Sequence, residues 1–213
     1  MTIVKVHLLR HGEVYNPDKV LYGRLPGFGL SKLGHEMAQM AYDNFLKDQD
    51  ISYIASSPLE RTRETAAPTA QGFDLGVTLD DRLIEAENHL QGLQVSKELF
   101  KKPKYWKYLR NPFAPSWGEN YNHIAARMLA AIDDAAHKTH GHDALLVSHQ
   151  LPIWITRLEA EGKRKFHNPT QRECSLASVT SLTYNTKSGV IEKVEYHEPA
   201  KSLLAQATTI PGA

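Results

Sequence analysis

The sequence predicts a single α/β domain built on an open, largely parallel sheet. Three observations predict it. Short apolar runs alternate with segments of helical periodicity, the pattern of parallel strands joined by crossover helices. Two of those runs, Ile3–Leu9 and Ala144–Ser148, end in a polar turn that carries a histidine, His11 and His149. The chain of 213 residues is long enough for one sizeable core and short for two domains, and no linker or internal repeat interrupts it. In such sheets ligands sit where strand ends meet loops.

Taken in order, Ile3–Leu9 is a buried strand, and Arg10, His11, Gly12 and Glu13 form the turn at its carboxyl end. Gly12 lets backbone or a ligand approach beside His11. The loop 14–30 contains Gly23, Gly27 and Gly29, but their spacing is not that of a dinucleotide-binding turn. Tyr22 and Arg24 in this loop are candidate ligand-facing residues, with Arg24 equally readable as a solvated side chain. Ser31 is placed as an N-cap, and Leu33, Met37, Met40, Ala41 and Phe45 recur at helical spacing to about Lys47.

A second strand spans Ile51–Ser56. Ser57, Pro58 and Glu60 then read as N-cap, N1 and N3 of a capping box, placing Arg61 at a helix start, where an anion would be welcome. Pairing of Arg61 with Glu60 or Glu64 is the structural alternative. A short strand, Val77–Leu79, leads to Glu85 and Glu87. Residues 88–117 are basic and aromatic and read as an insertion over the sheet, a candidate lid. A long amphipathic helix follows Gly118, with Ile124, Met128, Ala131, Ile132 and Ala135 on its apolar face. His137, His140 and His142 after it read as a polar turn rather than a metal site. Pro152 opens a further helix through Arg157. Leu176–Tyr184 and Val190–Tyr196 form a hairpin at one side of the sheet, and residues 198–213 read as a polar tail.

Composition excludes several classes of function. The formal net charge of +1 gives no global attraction to nucleic acid or to a membrane surface. Cys174 is the only cysteine, so no intramolecular disulfide forms, in keeping with a reducing compartment. With no signal segment and no apolar run of membrane-spanning length, the expected location is the cytoplasm and the expected state a monomer or homodimer.

Two arginines and two histidines near helix starts describe a pocket for a phosphoryl dianion. Guanidinium forks match phosphate oxygens, and a neutral imidazole can attack phosphorus. A carboxylic acid must then protonate the leaving oxygen, for which Glu85 and Glu13 are candidates. Other phosphate and ester chemistries lack their motifs. There is no Walker loop and no G-x-S-x-G elbow, and six residues after Cys174 stands Thr180 where a cysteine phosphatase needs arginine.

Arg10-His11-Gly12-Glu13 resembles the signature of the histidine phosphatase superfamily, the phosphoglycerate-mutase-like proteins. Ser57-Pro58-Leu59-Glu60-Arg61 through Thr65-Ala66 is similar to its second arginine motif, and Leu83-Ile84-Glu85 to its acid motif. Gly118-Glu119 resembles the helix start that follows, and Leu146-Val147-Ser148-His149 its second histidine motif. The resemblance implies a three-layer α/β/α sandwich with a mostly parallel central sheet and an antiparallel edge. It implies His11 as phosphorylated nucleophile, Glu85 as proton donor, and Arg10, Arg61 and His149 around the phosphoryl group, with no metal and no cofactor. The family often places asparagine six residues after the nucleophile. Pro17 stands there and Asn16 precedes it, so Asn16 is the expected phosphate ligand. Gln150 replaces the glycine common after the second histidine and joins Tyr22 and Arg24 as a candidate specificity residue. The acid segment is one residue shorter than usual, which leaves Glu87 beside Glu85. The expected activity is hydrolysis of a small phosphomonoester. A mutase-type phosphotransferase and a non-catalytic phospholigand-binding module are the alternatives.

Overall fold

A computed structural model of the protein describes residues 3–94, 118–168 and 171–208. In chain order these form β1 (Ile3–Arg10), α1 (Lys32–Asn44), β2 (Ile51–Ser56), α2 (Glu60–Phe73) and β3 (Val77–Leu79). Then come α3 (Tyr121–Lys138), β4 (Asp143–Ser148), α4 (Gln150–Ala160), β5 (Val179–Asn185) and β6 (Val190–His197). The strands make one sheet in the order β3-β2-β4-β1-β5-β6. The four strands β1 to β4 run parallel, and β5 is antiparallel to both β1 and β6. The hairpin read from the sequence therefore forms the antiparallel side.

Alternation along the strands sends side chains to two separate cores, as the two-residue period of a strand requires. Leu9, Leu145 and Val147 pack with Met37 and Ala41 of α1 and Ala66 of α2. Val4, Val6, Leu8 and Leu146 pack on the other face with Ile124, Met128 and Ile132 of α3 and Ile153 and Ile155 of α4. The result is three layers, with α1 and α2 on one side and α3 and α4 on the other. The methionines of α1 and α3 are core filler.

Local differences from the expectations have identifiable causes. Ser31 does cap α1, accepting from Gly34 N at 3.0 Å. The helix stops at Asn44 because Phe45 swings out to pack between His7, edge-on at 5.9 Å, and His197, stacked at 4.3 Å. The expected capping box at Ser57 is not formed. α2 begins at Glu60, its cap position is Leu59, and no side chain caps it. The Ser57 hydroxyl lies 2.9 Å from Nε2 of His149 instead, and only 3.5 Å from Leu59 N. The tail is not patternless: Lys201–Gln206 forms a 3-10 helix, and the backbone of Thr208 donates to Glu13. His137 and His142 each meet an aspartate, Asp133 and Asp50. Most of the expected insertion, residues 95–117, lies outside the described residues.

Candidate active site

The site follows from the strand order. β1 and β4 are adjacent and in register, with Arg10 opposite Ser148. The next residues, His11 and His149, therefore emerge side by side, with ring centroids 5.3 Å apart. From there the chain departs to opposite faces, toward α1 after β1 and into α4 after β4. A crevice opens where neighbouring strands send their connections to opposite sides. The ends of β2 and β3 complete the rim, delivering Ser57 and Arg61 from one and Glu85 from the other. Ser148 Oγ donates to Leu83 O at 2.7 Å and ties the end of β4 to the segment carrying Glu85.

Gly12 permits this convergence by letting backbone approach backbone. A Cβ there would lie 2.4 Å from Gly34 O, and a Cβ on Gly34 would lie 2.0 Å from Glu13 O. The start of α1 thus presses directly on the turn that carries His11. Gly12 N donates to Thr65 Oγ1 at 3.2 Å, which fixes the turn to α2 as well.

His11 is buried, and its Nδ1 lies 2.8 Å from Gly12 O. A carbonyl only accepts, so Nδ1 carries the proton and the Nε2 lone pair is left for chemistry. That Nε2 has no partner among the described residues, and neither do His149 Nδ1 and Arg61 Nε. Buried polar atoms without partners are rare, and three around one crevice mark a place for a polar ligand. Burial, reinforced by Arg61 and Arg10, holds the His11 pKa well below its ordinary 6.5. Burial likewise lowers that of His149, with Arg61 the next cause. Both rings are therefore neutral near neutral pH.

Arg61 is almost wholly buried in the first turn of α2. Its Nη2 donates to Gly23 O at 2.7 Å, and its guanidinium lies over the Tyr22 ring, 4.7 Å from the centroid. The expected alternative of an Arg61 ion pair with Glu60 or Glu64 is not seen. Tyr22 also faces His11 edge-on at 6.5 Å and is a wall of the pocket. Arg10 Nη1 donates to Cys174 O at 2.7 Å.

Glu85 stands over this cluster. Burial raises its carboxyl pKa above the ordinary value, opposed by the Ala86 N–H and by Arg61, Arg172 and Arg10. The other carboxylates weighed from the sequence are engaged elsewhere. Glu13 accepts from the Ser31 hydroxyl and from Thr208 N. Glu87 is 60% exposed and pairs with Arg24 at 3.3 Å.

Two expected ligand residues have different surroundings. The Asn16 amide makes local bonds that close the loop, donating to Val20 O at 2.8 Å and accepting from Val20 N at 3.0 Å. Arg24 is partly exposed and bonded on several sides. It donates to Glu85 O at 2.6 Å and to Glu119 Oε2 at 3.0 Å, and so holds the acid-bearing segment. Glu119 is nearly buried and also accepts from Arg127 Nε at 2.9 Å, making a clamp between Glu85 and α3.

Sequence reading missed Arg172. It donates through Nη1 to Gln150 Oε1 at 3.2 Å, and its charge acts on Glu85 and on Arg10. The singling out of Gln150, its partner, was the only signal that pointed here. Among the described residues no group of three or more histidine, cysteine, aspartate or glutamate side chains could hold a metal ion. None of the described helices is long and apolar enough to cross a membrane.

Comparison with known proteins gives the family and the fold. An uncharacterized protein of Mycobacterium tuberculosis H37Rv, Rv0525, is 50% identical over 198 residues, covering 92% of this chain and 96% of its own. A probable phosphoglycerate mutase of Photorhabdus laumondii, GpmB, is 27% identical over 187 residues, covering 83% and 85%. Among solved structures, YhfR of Bacillus stearothermophilus superposes with a TM-score of 0.75 at 21% identity, covering 89% of this chain and 94% of its own. The mycobacterial glucosyl-3-phosphoglycerate phosphatase Rv2419c superposes with a TM-score of 0.71 at 24% identity, covering 92% and 96%. These structural likenesses establish the fold. The model of the histidine phosphatase superfamily, branch 1, matches residues 6–197, and the chain belongs to that superfamily.

Proposed function

We propose that the protein hydrolyses a small phosphomonoester through a phosphohistidine intermediate on His11. The observation that carries this reading is the His11 ring: neutral, protonated on Nδ1, with a buried Nε2 lone pair between Arg61 and His149. In the first step Nε2 attacks phosphorus in line while the ester P–O bond breaks. The ring becomes cationic, and its Nδ1–H bond to Gly12 O strengthens as charge develops. Arg10, Arg61 and His149 compensate charge on the equatorial oxygens. Glu85, whose carboxyl pKa burial raises above its ordinary value, gives its proton to the leaving oxygen. In the second step water attacks phosphorus, the P–N bond breaks, and the Glu85 carboxylate takes the proton from water. The ring returns to its starting tautomer.

A phosphotransferase of the mutase type is the second reading, favoured by the likeness to the probable phosphoglycerate mutase. In it the phosphoryl group returns to substrate instead of passing to water. One experiment separates the readings. The full chain is assayed against a panel of phosphorylated metabolites, with and without 2,3-bisphosphoglycerate. Phosphate release without that compound is expected, and isomerisation only in its presence would favour the mutase. Rapid quenching should trap an acid-labile, alkali-stable phosphoenzyme. Wild-type labelling in His11→Ala would refute the nucleophile, and no reaction with any ester would favour a binding module.

A further inference from the structure

Among the buried or partly buried arginines, most have a carboxylate. Arg24 meets Glu87 and Glu119, Arg82 meets Asp80 and Asp134, Arg127 meets Glu119, and Arg157 meets Glu161 and Glu173. Arg61 and Arg172 form no ion pair with any carboxylate of the described residues. The role of Arg61 is accounted for by the phosphoryl site. That of Arg172 is not.

Arg172 lies on the loop between α4 and β5, and neutral acceptors hold it. Its Nε donates to His167 Nε2 at 2.8 Å. His167 Nδ1 lies 2.7 Å from Lys165 O, so that nitrogen carries the proton and Nε2 is free to accept. The His167 ring is itself fixed, stacked on Tyr121 at 5.7 Å and edge-on to Trp154 at 5.9 Å. On its other side the guanidinium donates to Gln150 Oε1, and Gln150 Nε2 donates to Cys174 O at 3.3 Å. That carbonyl also accepts from Arg10, so one oxygen links the two arginines. Arg172 is therefore a pre-oriented fork, next to the residue that follows His149, with no carboxylate of the described residues in an ion pair with it. A guanidinium withdrawn from water without a counter-charge is unfavourable unless a ligand brings one. Burial lowers the pKa of Arg172, and its bond to Gln150, the residue after His149, sets the fork at the edge of the crevice.

We propose that Arg172 is a specificity residue that binds a second anionic group, a carboxylate or a second phosphate, on the alcohol portion of the substrate. This rests on the phosphomonoesterase reading for the position of the phosphoryl group, and it narrows the substrate class to anionic phosphoesters. Gln150 and His167 are positioning residues that aim the fork.

The test compares esters that differ in this group alone. The pair 3-phosphoglycerate and glycerol 3-phosphate exchanges a carboxylate for a hydroxymethyl group. The pair 1,3-propanediol bisphosphate and propyl phosphate adds a second phosphate. Wild-type enzyme should favour the anionic member of at least one pair in kcat/KM by about 10- to 100-fold, the scale of a charge-assisted hydrogen-bonded pair. Whichever pair shows the preference identifies the anion. Arg172→Gln should collapse that ratio toward one, chiefly through KM, and Arg172→Lys should restore part of it. Using the ratio removes any general damage from the substitution. Equilibrium binding of the same esters to His11→Ala separates the two claims. A binding preference abolished by Arg172→Gln, with no turnover of any ester by the wild type, would overturn the hydrolytic reading and leave the anion site standing. Turnover with no preference in either pair, or a preference that Arg172→Gln leaves intact, would overturn the role of Arg172 and leave the hydrolytic reading standing.

Discussion

Replacing Glu85 by glutamine isolates the proton it is proposed to give. The substitution keeps shape and keeps an acceptor oxygen for the Ala86 N–H, which Glu85 Oε1 meets at 2.8 Å. The main chain is held independently, since Arg24 Nε bonds the Glu85 carbonyl at 2.6 Å. What glutamine lacks is a transferable proton. Burial raises the Glu85 pKa, and a bound phosphoryl dianion raises it further, and both favour the protonated form that the breaking ester P–O bond requires. An alkyl phosphate needs it because an alkoxide leaves poorly, whereas nitrophenolate leaves unprotonated. Glu85→Gln should slow phosphorylation by an alkyl phosphate about 10²–10⁴-fold, or roughly 3–5 kcal/mol of barrier. The burst of enzyme phosphorylation from p-nitrophenyl phosphate should fall far less. Rapid-quench measurement of both bursts provides the assay. Equal losses with both esters would refute the acid role and make Glu85 a structural partner of the arginines. A differential loss in Glu87→Gln instead would move the role to a side chain that is 60% exposed.

Four further outcomes are expected. The acid limb of kcat/KM should fall below pH 6.5, because His11 must be neutral to attack and burial lowers its pKa; a limb at or above 6.5 would contradict the site electrostatics. The basic limb belongs to Glu85 losing its proton as pH rises, and it should vanish in Glu85→Gln. Gly12→Ala forces a Cβ to within 2.4 Å of Gly34 O, where both partners are backbone. It should cost about 1–3 kcal/mol and lower Tm by roughly 2–4 °C for each, and an unchanged melting curve by calorimetry would refute the close packing. Arg24→Ala frees the Glu85 segment from Glu119 and should reduce kcat/KM for alkyl phosphates by roughly 10-fold to 10²-fold. It should spare p-nitrophenyl phosphate, and equal losses would show that Arg24 serves the phosphoryl end instead.

The elements that set the fold were legible because their signals are local. Ile3–Leu9 and Ala144–Ser148 are apolar runs with no helical period, and a histidine at the end of each is visible without coordinates. Where reading failed, a tertiary partner had overruled a local rule. Ser57 has the sequence of an N-cap, but His149, 92 residues away, takes its hydroxyl. Asn16 stands near the place the resemblance assigns, and its bonds to Val20 carried no signal in the sequence. Arg24 reads as an ordinary loop arginine because Glu85 and Glu119 are 61 and 95 residues distant. Arg172 lies in no motif, and only the folded loop brings it to Gln150 and His167. Gly12 was legible as a point of close approach, but not that backbone, from Gly34, is what approaches.

The strand order also governs how the chain must fold. The central pairing, β1 with β4, joins residues such as Val6 and Ala144, on either side of the intervening β2 and β3. Lys5 and Asp143, which bond across it, are 138 residues apart. Closing a loop of that length pays its entropy before most of the sheet can reward it, which slows folding. His11 and His149 sit at the end of this same pairing. Helices and the β2–β3 neighbourhood can form earlier, but the two rings meet only when this long loop has closed. During refolding, ligand binding at the crevice should therefore lag helix formation, and a chain cut before β4 has half a site on each fragment and a complete one on neither.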